Sequence, residues 1–314
     1  MANLKKAVKA PLAANKKNTK INETAGDKIL NVLTSIILIL IIIIVGYPTV
    51  FVISCSFSSH AALTAGQVYF LPVDFSLRAY EFVLEYKQVW IGFRNSVFYT
   101  FMDVLFQMTT TILVAYPLSK KNFQGRGVYT WIFYFTTMVG AGLIPSFLLK
   151  CSLGLYDNIW AVLLSGSLSV SHIIMLRTAI SSNIPGDLFD AAKIDGASEF
   201  QSMFMIALPL VKATLSVLVL YCIVGQWNEY FTCMIYLKDE NLYSLQLVLR
   251  PIMTAAAANV NSNEMSQSAQ ELQSDGLEGV RYALIIISSV PPIAAYFVVQ
   301  KYFKGGVMLG SVKG

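Results

Sequence analysis

Charge is what this chain has least of. Asp, Glu, Lys and Arg make up only 13% of its 314 residues and hydrophobic types 55%. Soluble domains carry about 25% charged residues, so a water-soluble globule is excluded and a bilayer is the expected solvent. The four cysteines, Cys55, Cys151, Cys222 and Cys233, form no CxxC pair, and the two histidines, His60 and His172, lie far from them. Neither a disulfide framework nor a metal site is supported. No G-x-x-x-x-G-K-S/T phosphate loop is present, and a chain without one does not hydrolyse ATP alone. No internal repeat is visible. The net charge of +5 comes from basic residues dispersed around apolar runs; membrane topology explains them, and no nucleic-acid partner is implied.

Long apolar runs are what the chain has instead. A membrane-spanning helix needs about 20 mostly apolar residues, and Ile29 to Ser54 supplies them, including IILILIIIIVGYPTVFVI. That run is longer than a signal-peptide core of about 7 to 15 residues and no small-residue cleavage site follows it, so it reads as a permanent first span in lipid. Five more runs follow, at about Gly92–Pro117, Val128–Leu149, Asn158–Ile180, Ala213–Leu237 and Val280–Phe303. The expected fold is all-α and polytopic. One domain of six transmembrane helices (29–304) lies between a lysine-rich tail (1–28) and a short C-terminal tail (305–314).

Six spans place both termini on one side. Seven lysines precede Ile29, and three basic residues fall in each of Ser119–Gly127, Arg177–Lys212 and the C-terminal end. Most of the 23 Lys and Arg therefore flank the side of the termini, which the positive-inside rule makes cytoplasmic. Two long loops face outward. Cys55–Ile91 carries the turn signal LPVDFS and a short amphipathic helix through RAYEFVLEYKQVW; Lys238–Gly279 carries the polar stretch AAAANVNSNEMSQSAQELQSDG.

Between spans four and five, at residues 187–209, the apolar pattern is interrupted on the cytoplasmic side by DAAKIDGASEFQSMFMIALPL, Asp190 to Leu210. Asp187 suits an N-cap, with Asp190 at N3, and Gly196 ends that helix. Ser198 with Gln201 spells a capping box for a second helix, whose apolar side is Phe200, Met203, Phe204, Ile206 and Ala207. Pro209 suits the first turn of the next helix and marks a sharp entry into span five. The small residues Ala191, Ala192 and Ala197 leave the glycine corner open to a close-fitting partner. An interfacial connector without a partner has the same physical signature.

The segment resembles the EAA signature, EAA-x3-G-x9-I-x-L-P, of permease subunits of ATP-binding cassette importers. Asp190, Ala191, Ala192, Gly196, Ile206, Leu208 and Pro209 stand at the family spacing, with Asp190 in place of the usual Glu. The six spans, the GQWNEYF stretch (Gly225–Phe231) and the ending QKYFKGGVMLGSVKG are similar to the maltose-permease group, and most to its complex-oligosaccharide branch. The resemblance implies a type I importer fold in a bacterial inner or plasma membrane. This chain would form half of the pore beside a second, distinct permease. Two ATPase subunits would bind ATP and Mg2+, and an extracytoplasmic solute-binding protein would deliver the sugar. It implies no cofactor and no catalysis in this chain. Asp190, Ala191, Ala192, Asp195, Gly196, Ala197, Ile206, Leu208 and Pro209 would be the coupling residues that enter a cleft on an ATPase, and the terminal GSVKG would reach the same interface.

Polar residues inside spans are the remaining signal. Asn95, Tyr99, Asp103 and Gln107 recur every four residues on one face of span two. They either line the sugar path or make a buried polar contact between helices; Asp103, at that depth, should face protein or water rather than lipid. Gln226, Trp227, Asn228 and Glu229, late in span five, combine an aromatic ring with amides and a carboxylate. That set suits sugar binding, a gate or a helix contact. Trp90, Trp131 and Trp160 fall near span ends, as an interfacial belt requires. Ser165, Ser169 and His172 share a face of span four, the residue set of an intramembrane serine hydrolase, though serine-rich faces also pack helices. An importer of a non-sugar solute and a secondary carrier that needs no ATPase also fit a polytopic chain of this composition.

Overall fold

The computed structural model describes residues 24–258 and 277–303. Among the described residues, regular structure is helical, apart from one isolated bridge between Ser58 and Phe75. The low-complexity stretch from 259 to 276, the lysine-rich tail up to 23 and the GSVKG ending lie outside the described residues.

The chain divides between Val50 and Phe51 into two units. The first consists, in its described part, of most of helix α1 (Ala25–Ser56). Asp27, in the first turn, accepts the Thr24 backbone N–H at 2.9 Å. From Ile29 to Val45 every side chain is exposed, Ile42 at 68%. A helix apolar all round is stable only in lipid or against another apolar surface.

The second unit is built on α4 (Lys87–Ser119). No glycine or proline interrupts it between Phe93 and Tyr116, so at about 1.5 Å per residue its 33 residues form one rod of about 50 Å. Against α4 pack α8 (Val170–Asn183), α12 (Lys212–Asn228) and α14 (Leu245–Ala258), and α15 (Leu277–Phe303) packs on α12. Ile173, Leu176 and Ile180 of α8, spaced three and four apart, are fully buried with Met108, Ala115 and Leu118 of α4 and Leu218 and Cys222 of α12. A second cluster joins Val89, Trp227, Leu245, Leu249 and Leu284.

Among the described residues, four helical stretches are long and apolar enough to cross a membrane, and up to six elements are if each bent pair is one span. Spans one, two, four and six fall where the sequence puts them; the other two are not single rods. The expected third span is α5 (Arg126–Met138) and α6 (Leu143–Ser152), bent by 112° at the glycine-bearing Val139–Gly142 link. Gly142 has φ +79, a conformation that no β-branched or bulky residue tolerates readily. The expected fifth span stops as α12 at Asn228 and resumes as α13 (Phe231–Tyr236). Span four also contains a break, between α7 (Ile159–Ser165) and α8.

The two long loops expected to face outward differ from expectation in two ways. The amphipathic helix is α3 (Arg78–Glu85) alone, because Tyr86 turns extended (ψ 102) and Lys87–Trp90 open α4 instead. Helix α14 was expected to be loop. Leu245, Val248, Leu249 and Ile252 are at helical spacing and buried, but Arg250 and Pro251 within the run mask the pattern in the sequence.

Gly92 is where α4 and α14 touch. A Cβ there would lie 3.1 Å from the Leu245 Cα and 3.1 Å from Val248 Cγ2. Gly92→Leu should therefore destabilise the chain by about 1–3 kcal/mol. Thermal unfolding in detergent is the measurement, and an unshifted midpoint would show that the two backbones are not held in this contact.

Candidate functional site

The segment expected to couple, residues 187–209, follows where α8 stops. Ile184, 5% exposed, donates its N–H to Ile180 O, and Pro185 (φ −59, ψ 139) turns the chain out of the helix. Helix α9 (Gly186–Ile194) then begins two residues earlier than expected. Asp187 is not its N-cap. Pro185 occupies that place, because its ring pre-sets the entry, and Asp187 sits in the first turn, where its carboxylate still suits the helix dipole. Asp190 consequently lies mid-helix rather than at N3, and it is exposed.

The glycine corner is as the sequence implies. Gly196 has φ +81. Its N–H donates to Lys193 O at 3.1 Å, and the Ala197 N–H reaches Ala192 O at 2.9 Å. These two bonds close a Schellman motif around a left-handed residue. A Cβ at Gly196 would meet nothing within 4 Å, so the requirement for glycine is conformational, about 1–2 kcal/mol.

Ser198 and Gln201 complete the expected capping box. The Gln201 N–H donates to Ser198 Oγ at 3.2 Å and the Ser198 N–H to Gln201 Oε1 at 2.8 Å. Helix α10 (Glu199–Gln201) then widens into a π-helical stretch, Ser202–Ala207, before a last turn, α11 (Leu208–Leu210). Pro209 is held inside that turn, and the 84° bend into α12 falls at Val211, two residues later than expected. Val211 is 1% exposed, so the corner is pinned by burial and not by the proline itself.

This geometry separates residues expected on one apolar side. Met203, Ala207 and Val211, four apart, are buried in the core formed by Tyr116, Leu118, Ile180 and Ile184. Phe200 and Phe204 are exposed, along with Met205 at 74% and Ile194 at 86%. The segment thus has a root in the core and a crown in the open. Ala192 belongs to the root; Ala197, Ile206 and Leu208 are half-buried; Asp190, Ala191, Asp195, Gly196 and Pro209 are on the crown. Ile194 and Met205 join the crown unannounced, since an isolated apolar residue in a polar segment carries no periodicity.

The polar stripe on α4 faces protein. Asn95 Nδ2 donates to Asn241 O (2.7 Å) and Tyr243 O (3.0 Å), and Tyr99 Oη donates to Leu242 O at 2.7 Å. Gln107 Nε2 donates to Gly166 O, and its Oε1 accepts the Cys222 thiol at 2.8 Å. Asp103 is 3% exposed and its Oδ1 is without a hydrogen-bond partner among the described residues. That oxygen points at the α7–α8 break, and a Cβ on Gly166 would lie 2.2 Å from it.

The Gln226–Glu229 group does not act as a unit. Trp227 is buried, with its Nε1 donating to Ser288 O at 2.9 Å and its ring edge-on to Phe93. Gln226 is half-buried and turned toward Gly166. Asn228 is exposed and donates back to Val224 O, and Glu229 accepts the Thr232 N–H at the start of α13.

Ser165 and Ser169 do not share a helical face, because the Gly166–Leu168 break comes between them. Ser169 caps α8 by accepting the His172 N–H, Ser165 donates to Ala161 O, and the His172 ring stacks on Tyr221. Neither Ser165 nor Ser169 is paired through its hydroxyl with the His172 ring, so these three residues form no serine–histidine pair.

No family model matches the chain. It is 32% identical over 267 residues to Protein LplC of Bacillus subtilis (strain 168), covering 85% of this chain and 89% of that protein. It is 31% identical over 268 residues to the polygalacturonan/rhamnogalacturonan transport system permease protein YtcP of the same organism, with 85% and 92% covered. Among solved structures, one chain of a bacterial ABC transporter involved in the import of the acidic polysaccharide alginate superimposes with a TM-score of 0.79. It is 35% identical and covers 89% of this chain and 98% of its own.

Gly166→Ala forces a methyl into Asp103 and should cost about 1–3 kcal/mol in a thermal unfolding series. An Asp103→Ala background should recover most of that loss. Equal penalties in both backgrounds would show that the carboxylate is not the obstacle.

Proposed function

We propose, from the premise that this chain belongs to the permease subunits of ATP-binding cassette carbohydrate importers, that it forms half of an oligosaccharide pore and receives its driving force through residues 187–209. Membership rests on relatives above 30% identity that match along most of their length. The chain is a multi-pass membrane protein and a transport subunit; hydrolysis falls to separate ATPase subunits that bind ATP and Mg2+. A second permease completes the pore, and an external binding protein delivers the sugar. The lysine-rich side, with both termini, faces the cytoplasm.

One observation carries the coupling role: the segment's exposed crown is rigidly continuous with the buried core. Asp190, Ala191, Asp195 and Gly196 present a short acidic and small-residue surface. Met203, Ala207 and Val211 bury the other side. A knob of this kind can enter a cleft and pass displacement on, and its exposed Ile194, Phe200, Phe204 and Met205 offer apolar contact to the partner. Each nucleotide state must favour a different arrangement of the knob for ATP to drive the change between inward-facing and outward-facing forms.

The name of YtcP specifies polygalacturonan or rhamnogalacturonan, and the solved relative imports alginate. Oligosaccharides of acidic polysaccharides are accordingly the first solutes to assay.

In proteoliposomes holding the whole transporter, Gly196→Asp or deletion of Asp190–Ala197 should reduce uptake by about tenfold or more while the spans stay inserted. Wild-type uptake by either variant would reject the coupling role.

A further inference from the structure

We propose that Tyr116, Lys120 and Glu199, with the Phe189 ring, form a joint that ties both limbs of the coupling segment to the end of α4, making α4 a direct route by which force enters the membrane. The inference rests on the reading that residues 187–209 dock an ATPase. It goes beyond that reading by naming residues outside the signature and the helix they drive.

The joint is made from three separate parts of the chain. Lys120 is the C-cap of α4. Its Nζ lies 3.0 Å from the centroid of the Phe189 ring, on α9, and 4.7 Å from that of Tyr116, on α4. Tyr116 and Phe189 meet edge to face, with centroids 6.3 Å apart at 74°. Tyr116 Oη donates to Glu199 Oε2 at 2.9 Å. Phe189 and Glu199 stand on opposite sides of the Gly196 corner, so both limbs are pinned to one turn of α4. The middle of α8 is tied to the same turn, where Arg177 Nε donates to Leu118 O at 3.1 Å.

Chemistry makes this contact directional where the surrounding packing is not. Met203 and Ala207 hold the root by apolar contact, which tolerates sliding. A cation over a ring face and a phenol on a carboxylate fix position and angle. Lys120 is half-buried, and burial pushes its pKa down, opposed by the nearby Glu199 and Asp190 carboxylates.

The next turns of α4 explain why the route matters. The same unbroken helix carries Gln107 and Thr110, which donate to Gly166 O and Ser167 O at the break in span four. A displacement entering at Tyr116 reaches that break along a rod with no internal hinge. Of the two covalent routes out of the segment, the one through α8 also ends at that break, whereas the one through the bend at Val211 enters α12 and avoids it; the joint adds α4 to them.

Tyr116, Lys120 and Glu199 are positioning residues, so the test reads ATP turnover per assembled transporter. The full complex, with its partner permease and ATPase subunits, is purified into nanodiscs carrying Tyr116→Phe, Glu199→Gln, Lys120→Met or Lys120→Arg. The first three should retain the ATPase subunits yet shift turnover per complex by about fivefold or more, and Lys120→Arg should keep it near wild type. A purely structural role would lower yield and leave turnover per complex unchanged, which overturns the joint. Should Lys120→Met fail to assemble, Tyr116→Phe, which removes one hydroxyl and no ring, decides alone. A wild-type chain that captures no ATPase sinks the docking reading instead, a result distinct from unchanged turnover in an intact complex.

Discussion

At membrane depth a backbone carbonyl freed by a break in a helix has no water to turn to, so a donor must come from a neighbouring helix. In this chain α4 is that neighbour. Gln107 and Thr110 supply the donors for Gly166 O and Ser167 O, and Asn95 and Tyr99 do the same for the outer turn at Asn241–Tyr243. The broken fourth span and the short helices beyond α12 persist because one unbroken, polar-striped helix satisfies them. The glycine at 166 follows from the same constraint, since the Asp103 carboxylate occupies the space where a side chain would be.

At its opposite end, α4 meets the coupling segment. The segment is divided into a buried root and an exposed crown by a π-helical stretch that sets Met203, Ala207 and Val211 on one line. The wider turn leaves Phe204 and Met205 outward beside Phe200. The proposed coupling role draws on both properties in one short stretch: an exposed surface and a connection to the core. Phe189, Glu199 and Lys120 add a second attachment of the crown to the membrane part, independent of the chain's own path through Val211.

Some of this was legible in the residues. The corner at Gly196 and the Ser198–Gln201 capping box appear where the sequence places them, because each is decided by residues within four positions of one another. The start of α9 was misplaced for a local reason too: Asp187 is the better capping side chain, yet Pro185 sets the backbone first. The polar stripe was visible as a four-residue repeat, but its partners, more than fifty and up to 150 positions away, were not. Helix α14 was hidden because Arg250 and Pro251 interrupt an apolar pattern that only packing against Gly92 makes meaningful.

The sequence by itself determined that the chain lives in a bilayer, where four of its apolar spans lie, and that the segment between spans four and five turns at Gly196. Apolar length, chirality at glycine and hydrogen-bonding caps act on neighbouring residues and need no fold to express them. Tertiary structure alone decided that the stripe on α4 serves breaks in other spans and that the third span folds at Val139–Gly142. It alone put Met203 inside and Phe204 outside, and brought Lys120 between Phe189 and Glu199. Each of these depends on which distant side chain occupies the remaining space, and that is set only when the helices have packed.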